Sequence, residues 1–197
     1  MIYKDIKTVI LKPEALRLSA LEVAARLKVK SDYTDPLIEE CKSELLCTIA
    51  PKFCFCETDV KLKDGVCVFD FGEIKSEGLA ENLKGCKRAY LMAATLGLDT
   101  DRYIAKCGIM STTKSFVADG IASAFVEAVC DCADFTLRGK GEHPRRFSTG
   151  YGDLSLSYQK TILDRLCASQ TVGISLTNGL LMIPQKSVSA ILGVKDD

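Results

Sequence analysis

The sequence has no tryptophan and a single histidine, His143, in 197 residues. Without tryptophan the core must be filled by Leu, Ile, Val, Phe and the ten cysteines. One histidine leaves a Cys/His zinc site short of nitrogen ligands, and the cysteine pairs do not make up for it. Cys54-x-Cys56 and Cys130-x-Cys132 have one intervening residue rather than the two of a zinc knuckle. The first pair falls on an expected strand, where i and i+2 share a face, and the second on an expected helix, where they diverge. Small core thiols are their expected role. Excess charge is absent too, with 26 basic and 26 acidic residues. That excludes a general nucleic-acid binder, which needs a basic surplus. No apolar run approaches the roughly 18 residues of a membrane helix; the longest, 89–98, reaches about half of that. The opening MIYKDIKTVILK has no basic region leading into an apolar one, so no secretory signal is read, and a cytoplasmic chain with reduced thiols is expected. Gly-x-Ser-x-Gly, Walker A and Gly-x-Gly-x-x-Gly are all missing. Ser111-x-x-Lys114 lacks the companion motifs of a Ser-Lys hydrolase, and Ser111 is read as a helix N-cap.

What is present fits one domain with a core that needs no staples. The start, 2–10, reads as a short edge strand or an extended arm. Apolar residues at three- and four-residue spacing predict a helix over 13–28, and Asp35-Pro36 starts a second that Pro51 ends. Asp64-Gly65 marks the tip of a β-hairpin, with the strand alternation slipping once near Glu57. A short helix at 76–83, a buried strand at 87–96, a helix from a cap at Asp99 to about Cys107, and a long helix from Ser111 to Arg138 follow. Gly120 inside the long helix suggests a close backbone approach. A break at 137–144 precedes a helix at 157–167 and strands at 171–176 and 180–183, with 187–192 a third strand or a turn. The order predicts an α+β domain with a mixed or antiparallel sheet, divided into N-terminal helices and hairpin (1–97), a helical block (98–138) and a loop with late strands (145–193).

Two features around the break carry chemistry. Arg138, Lys140, His143, Arg145 and Arg146 are a basic cluster that reads equally as a solvated loop or an anion dock. His143 lacks an identifiable partner for general-base work. The run Arg146 to Asp153 combines an arginine able to clamp a carboxylate, an aromatic face at Tyr151, and accessible backbone at Gly150 and Gly152. Such a loop suits an amphoteric, adenosine-like ligand; the plain alternative is a glycine turn.

Three separated pieces then resemble a known family. They are Arg146-Phe-Ser-Thr-Gly150-Tyr151, Gly173-Ile-Ser-Leu176-Thr177, and Met182-Ile-Pro184-Gln-Lys-Ser187-Val-Ser189, joined more loosely by Ala118-Asp-Gly-Ile-Ala-Ser-Ala-Phe-Val-Glu127. Their order and spacing resemble the activation (reactivation) domain of cobalamin-dependent methionine synthase. The resemblance implies an α+β domain that binds S-adenosylmethionine and presents it to a cobalamin whose cobalt has fallen to the cob(II) state, with a flavodoxin-like reductant. It implies Arg146 on the ligand carboxylate, Gly150, Tyr151 and Gly152 on the adenosine, and Glu127 or Asp153 on the amino or sulfonium group. This chain departs from the family pattern after Tyr151, where Gly152-Asp153-Leu154-Ser-Leu-Ser157 replaces a Pro-Ala-Cys-Pro-x-His run, and at Ser123, where the family has an acid. The expected role is a stand-alone accessory subunit acting on a separate methionine synthase or other corrinoid protein, which holds the cobalamin. No catalytic residue, metal, nucleic-acid or membrane role is assigned. Two rivals are a corrinoid-protein partner that no longer binds S-adenosylmethionine, and an unrelated small-molecule methyltransferase using the same loop.

Overall fold

The structure is a computed structural model describing residues 5–30, 32–139 and 141–195. The first residues of the expected arm and Lys140 of the basic cluster lie outside them. The organising strand is β2 (Lys52–Lys63), which follows β1 (Lys7–Ile10). Its first half pairs with β1 on one side and β5 (Arg88–Thr95) on the other. Its second half turns at Asp64-Gly65 into β3 (Val66–Phe69), which pairs with β4 (Gly72–Lys75). Both turn residues have positive φ, 48° and 77°, as the predicted tight hairpin requires. Beyond β5 come β9 (Ser187–Val194), paired along all eight residues, and β6 (Phe147–Ser148). Every pairing is antiparallel. β7 (Ser175–Leu176) and β8 (Met182–Ile183) form a separate two-stranded hairpin.

Helices cover both faces of the sheet. On one, α5 (Thr112–Arg138) lies against β2, β5 and β9, with α1 (Ala20–Leu27), α2 (Pro36–Leu46) and α4 (Leu98–Met110) packed around it. Phe53, Met92, Ala94 and Leu192 meet Leu45, Ile121, Phe125 and Val129 in this core. On the other, Cys54, Cys56, Leu91 and Ile191 meet Leu79 of α3 (Glu77–Asn82), Ile162 of α6 (Tyr158–Arg165) and Ala168 of α7 (Ala168–Thr171). The expected slip near Glu57 does not occur. Cys54, Cys56, Thr58 and Val60 stay on one buried face, while the opposite face changes from Phe53 and half-buried Phe55 to exposed Glu57 and Asp59. The helical layer ends there, so a strand buried on both faces becomes buried on one.

Local signals set several helix starts as expected. Asp35 accepts from the Leu37 amide at 2.8 Å and Ser111 from the Lys114 amide at 3.2 Å. The first helix begins later than its periodicity predicts. Pro13–Ala15 closes only a 3-10 turn, Leu16 is extended, and Ser19 caps α1 through the Glu22 amide at 3.4 Å. Asp99 is not the cap of α4: Gly97, with φ 88°, takes that place, and Asp99 stands in the first turn. The expected strands at 171–176 and 180–183 shrink to β7 and β8, because 168–171 is already helical. The 187–192 segment is the longer β9, which lies between β5 and the edge strand β6. Strands β4 and β6 were not expected. Among the described residues no helix is long and apolar enough to cross a membrane.

Two glycines mark close approaches. A Cβ on Gly120 would lie 2.6 Å from Leu27 Cδ2, so the predicted contact is that of α1 on α5. On Gly193 it would lie 2.7 Å from Leu83 Cδ2, 2.9 Å from Cys86 Sγ and 2.9 Å from the Pro144 ring. Gly193→Ala is therefore expected to destabilise the fold by about 1–3 kcal/mol through overpacking, read from chemical denaturation. A neutral outcome would mean that these three neighbours yield freely.

Candidate functional site

The site is built where the second half of α5 faces residues 145–154. Glu127, Asp131 and Asp134 stand at i, i+4 and i+7 on α5 and so share one face. Arg146 reaches that face from the start of β6. Its guanidinium donates from Nη2 to Glu127 Oε2 at 2.6 Å and from Nη1 to Asp131 Oδ1 at 2.8 Å, with Asp134 Oδ2 at 3.7 Å. Arg26 of α1 donates to the other Glu127 oxygen at 3.3 Å and to Glu22 at 2.7 Å. Glu127 thus sits between two arginines. Close by, burial pushes the Cys130 thiol up to about 12, against the pull of Arg146, so it remains a neutral core group.

The glycine-rich loop is a tight, self-bonded turn. The Gly150 amide donates to the Leu154 carbonyl at 2.8 Å, Tyr151 to Ser148 at 3.2 Å, and Leu154 to Tyr151 at 2.9 Å. Gly150 and Gly152 have φ of 83° and 54°, in the region that favours glycine. Leu154, where the resembling family carries Cys, is fully buried in the second core and anchors the turn. Tyr151 is 71% exposed, its ring edge-on to Phe147 at 6.4 Å. Thr149 donates to buried Gln159 at 3.1 Å, and Gln159 donates to the Leu180 carbonyl at 2.8 Å, which joins the loop to the late segment. The Ser123 hydroxyl meets Lys186, whose ammonium also pairs with Asp119 at 2.8 Å. This ties α5 to the turn before β9.

Asp153 faces away from the groove. Its carboxylate accepts from the Ser76 hydroxyl and the Glu77 amide at 2.6 Å each and from the Gly78 amide at 3.2 Å, capping α3 from a distant part of the chain. The Ser76 hydroxyl chiefly holds it below the ordinary value of 3.8; desolvation opposes this, and the Glu77 and Gly78 amides add to the lowering. A carboxylate with a depressed folded pKa contributes stability above its unfolded pKa and loses it as pH falls through the folded one. The thermal midpoint should therefore fall below about pH 4, and Asp153→Asn, already without the charge, should lose less over that window. Equal acid sensitivity in wild type and variant would assign the fall to other carboxylates.

Two adjoining lobes flank Glu127, Arg145, Arg146 and Tyr151, which line both. The first, of about 590 Å³, adds Arg17, Glu22, Arg26 and Asp131 and is charged. The second, of about 480 Å³, adds Phe147, Val188, Ser148, Asn82 and Asp134 and carries more apolar surface than the first. Of the residues singled out in the sequence, Arg146, Tyr151 and Glu127 therefore come together, with Gly150 and Gly152 shaping the loop on either side of Tyr151. Of the basic cluster Arg145 also lines both lobes, while Arg138 and His143 turn away from them. Arg138 is buried on Asp134, the Pro144 carbonyl and the Gly193 carbonyl. Both His143 ring nitrogens are occupied, one by the Arg138 carbonyl at 2.8 Å and one by the Lys195 amide at 3.4 Å, so this ring braces the loop. Asp131 was not singled out, although its spacing of four from Glu127 on the long helix would have put it on the same face. Arg17, Arg26 and Asn82 carry no local signal, because only the packing of α1 and α3 brings them here.

At the level of sequence, no family model and no curated protein matches the chain. Among solved structures, the MetH reactivation domain bound to AdoHcy superposes with a TM-score of 0.74 at 14% identity, covering 98% of this chain and 79% of that one. The chain therefore has the fold of the MetH reactivation domain.

Proposed function

We propose that this chain binds S-adenosylmethionine and supports the reductive methylation of a cobalamin held by a separate methionine synthase or related corrinoid protein. The observation that carries the reading is the two-lobed groove centred on Arg146, Glu127 and Tyr151, in a fold whose solved neighbour holds AdoHcy. The residues fit such a ligand. An amino-acid end carries both an ammonium and a carboxylate, and the charged lobe offers both signs in Glu22, Glu127, Asp131, Arg17, Arg26 and Arg146. A nucleoside needs a flat apolar surface, and the other lobe offers Phe147, Tyr151 and Val188. In this reading Arg146 takes the ligand carboxylate by exchanging Asp131, which is exposed and free to swing out, while Glu127 stays on the arginine pair and faces the ammonium or sulfonium. Gly150, Tyr151 and Gly152 lie against the adenosine, and Asp153 serves by fixing the loop on α3. The methyl donor supplies the one-carbon group. The chain contributes placement, holding the sulfonium methyl toward a partner's cofactor.

The accessory activity is tested by mixing the chain with a corrinoid protein in its cob(II) state, S-adenosylmethionine and a reductant such as a flavodoxin. Chain-dependent loss of the cob(II) absorbance with formation of S-adenosylhomocysteine is expected; a rate indifferent to the chain would sink this role. One observation favours the second reading, a corrinoid-protein partner without donor affinity: Arg146 is already engaged by two carboxylates. That reading expects the corrinoid protein to be captured with no binding of S-adenosylmethionine.

A further inference from the structure

Three carboxylates surround the Arg146 guanidinium, and they are not held alike. Glu127 accepts from Arg146 Nη2 at 2.6 Å, and its other oxygen accepts from Arg26 at 3.3 Å. Asp134, at 3.7 Å, belongs to Arg138, whose Nε donates to it at 2.6 Å. Asp131 accepts from Arg146 Nη1 at 2.8 Å and has no other partner among the described residues. Its side chain lines the charged lobe and is 72% exposed, against 22% for Arg146. One donor of a largely buried guanidinium is thus covered by a carboxylate that stands in solvent. An anion that reaches Nη1 from the lobe has to take the place of Asp131, because Glu127 and Asp134 are each tied to a second arginine. Asp131 gives way at small cost, since water satisfies an exposed carboxylate as soon as it leaves.

We infer that Asp131 is a resident competitor on Arg146: it occupies the guanidinium until a ligand carboxylate displaces it, and so sets how tightly the groove holds an amino acid. The inference rests on the proposed amino-acid ligand and adds what that reading leaves open, the residue that limits its affinity. A carboxylate ligand gains the hydrogen bonds to Arg146 less the pair it breaks. A ligand of the same shape without a carboxylate leaves the pair intact and is indifferent to it.

Calorimetry on the whole chain compares wild type with Asp131→Ala. The ligands are S-adenosylhomocysteine and its decarboxylated form, which keeps the ammonium. Asp131→Ala should bind S-adenosylhomocysteine about two- to fivefold more tightly, the fold-change that an exposed ion pair is worth. It should not bind the decarboxylated ligand more tightly, since nothing then competes for Arg146. Equal or weaker binding of S-adenosylhomocysteine by the variant overturns the inference and leaves the proposed function standing; weaker binding would place Asp131 on the ligand ammonium instead. Equal tightening of both ligands overturns it as well, because competition acts only on the carboxylate. Binding of S-adenosylhomocysteine by neither protein overturns the proposed function and the inference together. The substitution lies on an exposed helical face, where alanine is the most favourable residue, so the variant should fold.

Discussion

Arg146→Ala is expected to abolish ligand-induced stabilisation. Wild type with ligand at about 100 times its Kd should gain about 2.7 kcal/mol. For a chain of this length that raises the thermal midpoint by about 5–10 °C. Arg146 offers two parallel N–H donors from a largely buried position, and each hydrogen bond to a charged partner is worth about 1.5–3 kcal/mol. Its removal should weaken S-adenosylhomocysteine by about 100-fold or more, and the thermal gain should vanish at the same ligand concentration. The fold should survive. Glu127 keeps Arg26, and Asp131 is exposed, so the loss of these pairs costs about 1 kcal/mol. Arg146→Lys keeps the charge and loses the planar fork, and should recover little of the affinity. A variant that binds as tightly as wild type would remove Arg146 from the ligand.

Arg138→Ala should have the opposite profile, a large loss of stability. Its side chain is 4% exposed and is bonded to Asp134 and to two main-chain carbonyls. Nε donates to Asp134 at 2.6 Å, and Nη1 to the Pro144 carbonyl at 2.6 Å and the Gly193 carbonyl at 2.9 Å. Truncation leaves a carboxylate and two carbonyls without their donor, a change that costs about 3–5 kcal/mol when one partner of a buried pair is removed. The thermal midpoint should drop by about 10 °C, measured by circular dichroism in the absence of ligand. A drop of less than about 3 °C would show that water or a neighbour satisfies these groups. The two arginines, eight positions apart in a single basic cluster, are thus expected to separate into a proposed ligand residue and a structural one.

That separation shows what the chain reveals before folding. Charge and loop position put Arg138 and Arg146 in one basic cluster, and only the spacing to Gly150-Tyr151 set Arg146 apart; the burial of Arg138 is not a local property. Signals carried by neighbouring residues were legible: the caps at Asp35 and Ser111, the Asp64-Gly65 turn, the long helix to Arg138. Asp153 was expected, as an alternative to Glu127, on the ligand's amino or sulfonium group, as the family resemblance implies. Its capping of α3, 76 residues earlier, depends on the sheet bringing the two segments together. β4 has one buried residue, Ile74, among Gly, Glu and Lys, and β6 is two residues long, so neither shows a strand period. The second lobe eluded the sequence for the same reason. Asn82 ends a short helix with an ordinary amphipathic pattern, and only the fold brings it to the Arg145 carbonyl.

The central claim is that the groove over Arg146 and Glu127 takes an S-adenosyl amino acid. Isothermal calorimetry of the wild-type chain alone with S-adenosylhomocysteine tests it most directly. Saturable one-to-one binding, lost in Arg146→Ala, is the predicted result. No saturable binding at millimolar ligand, from a chain shown to be folded, would contradict it.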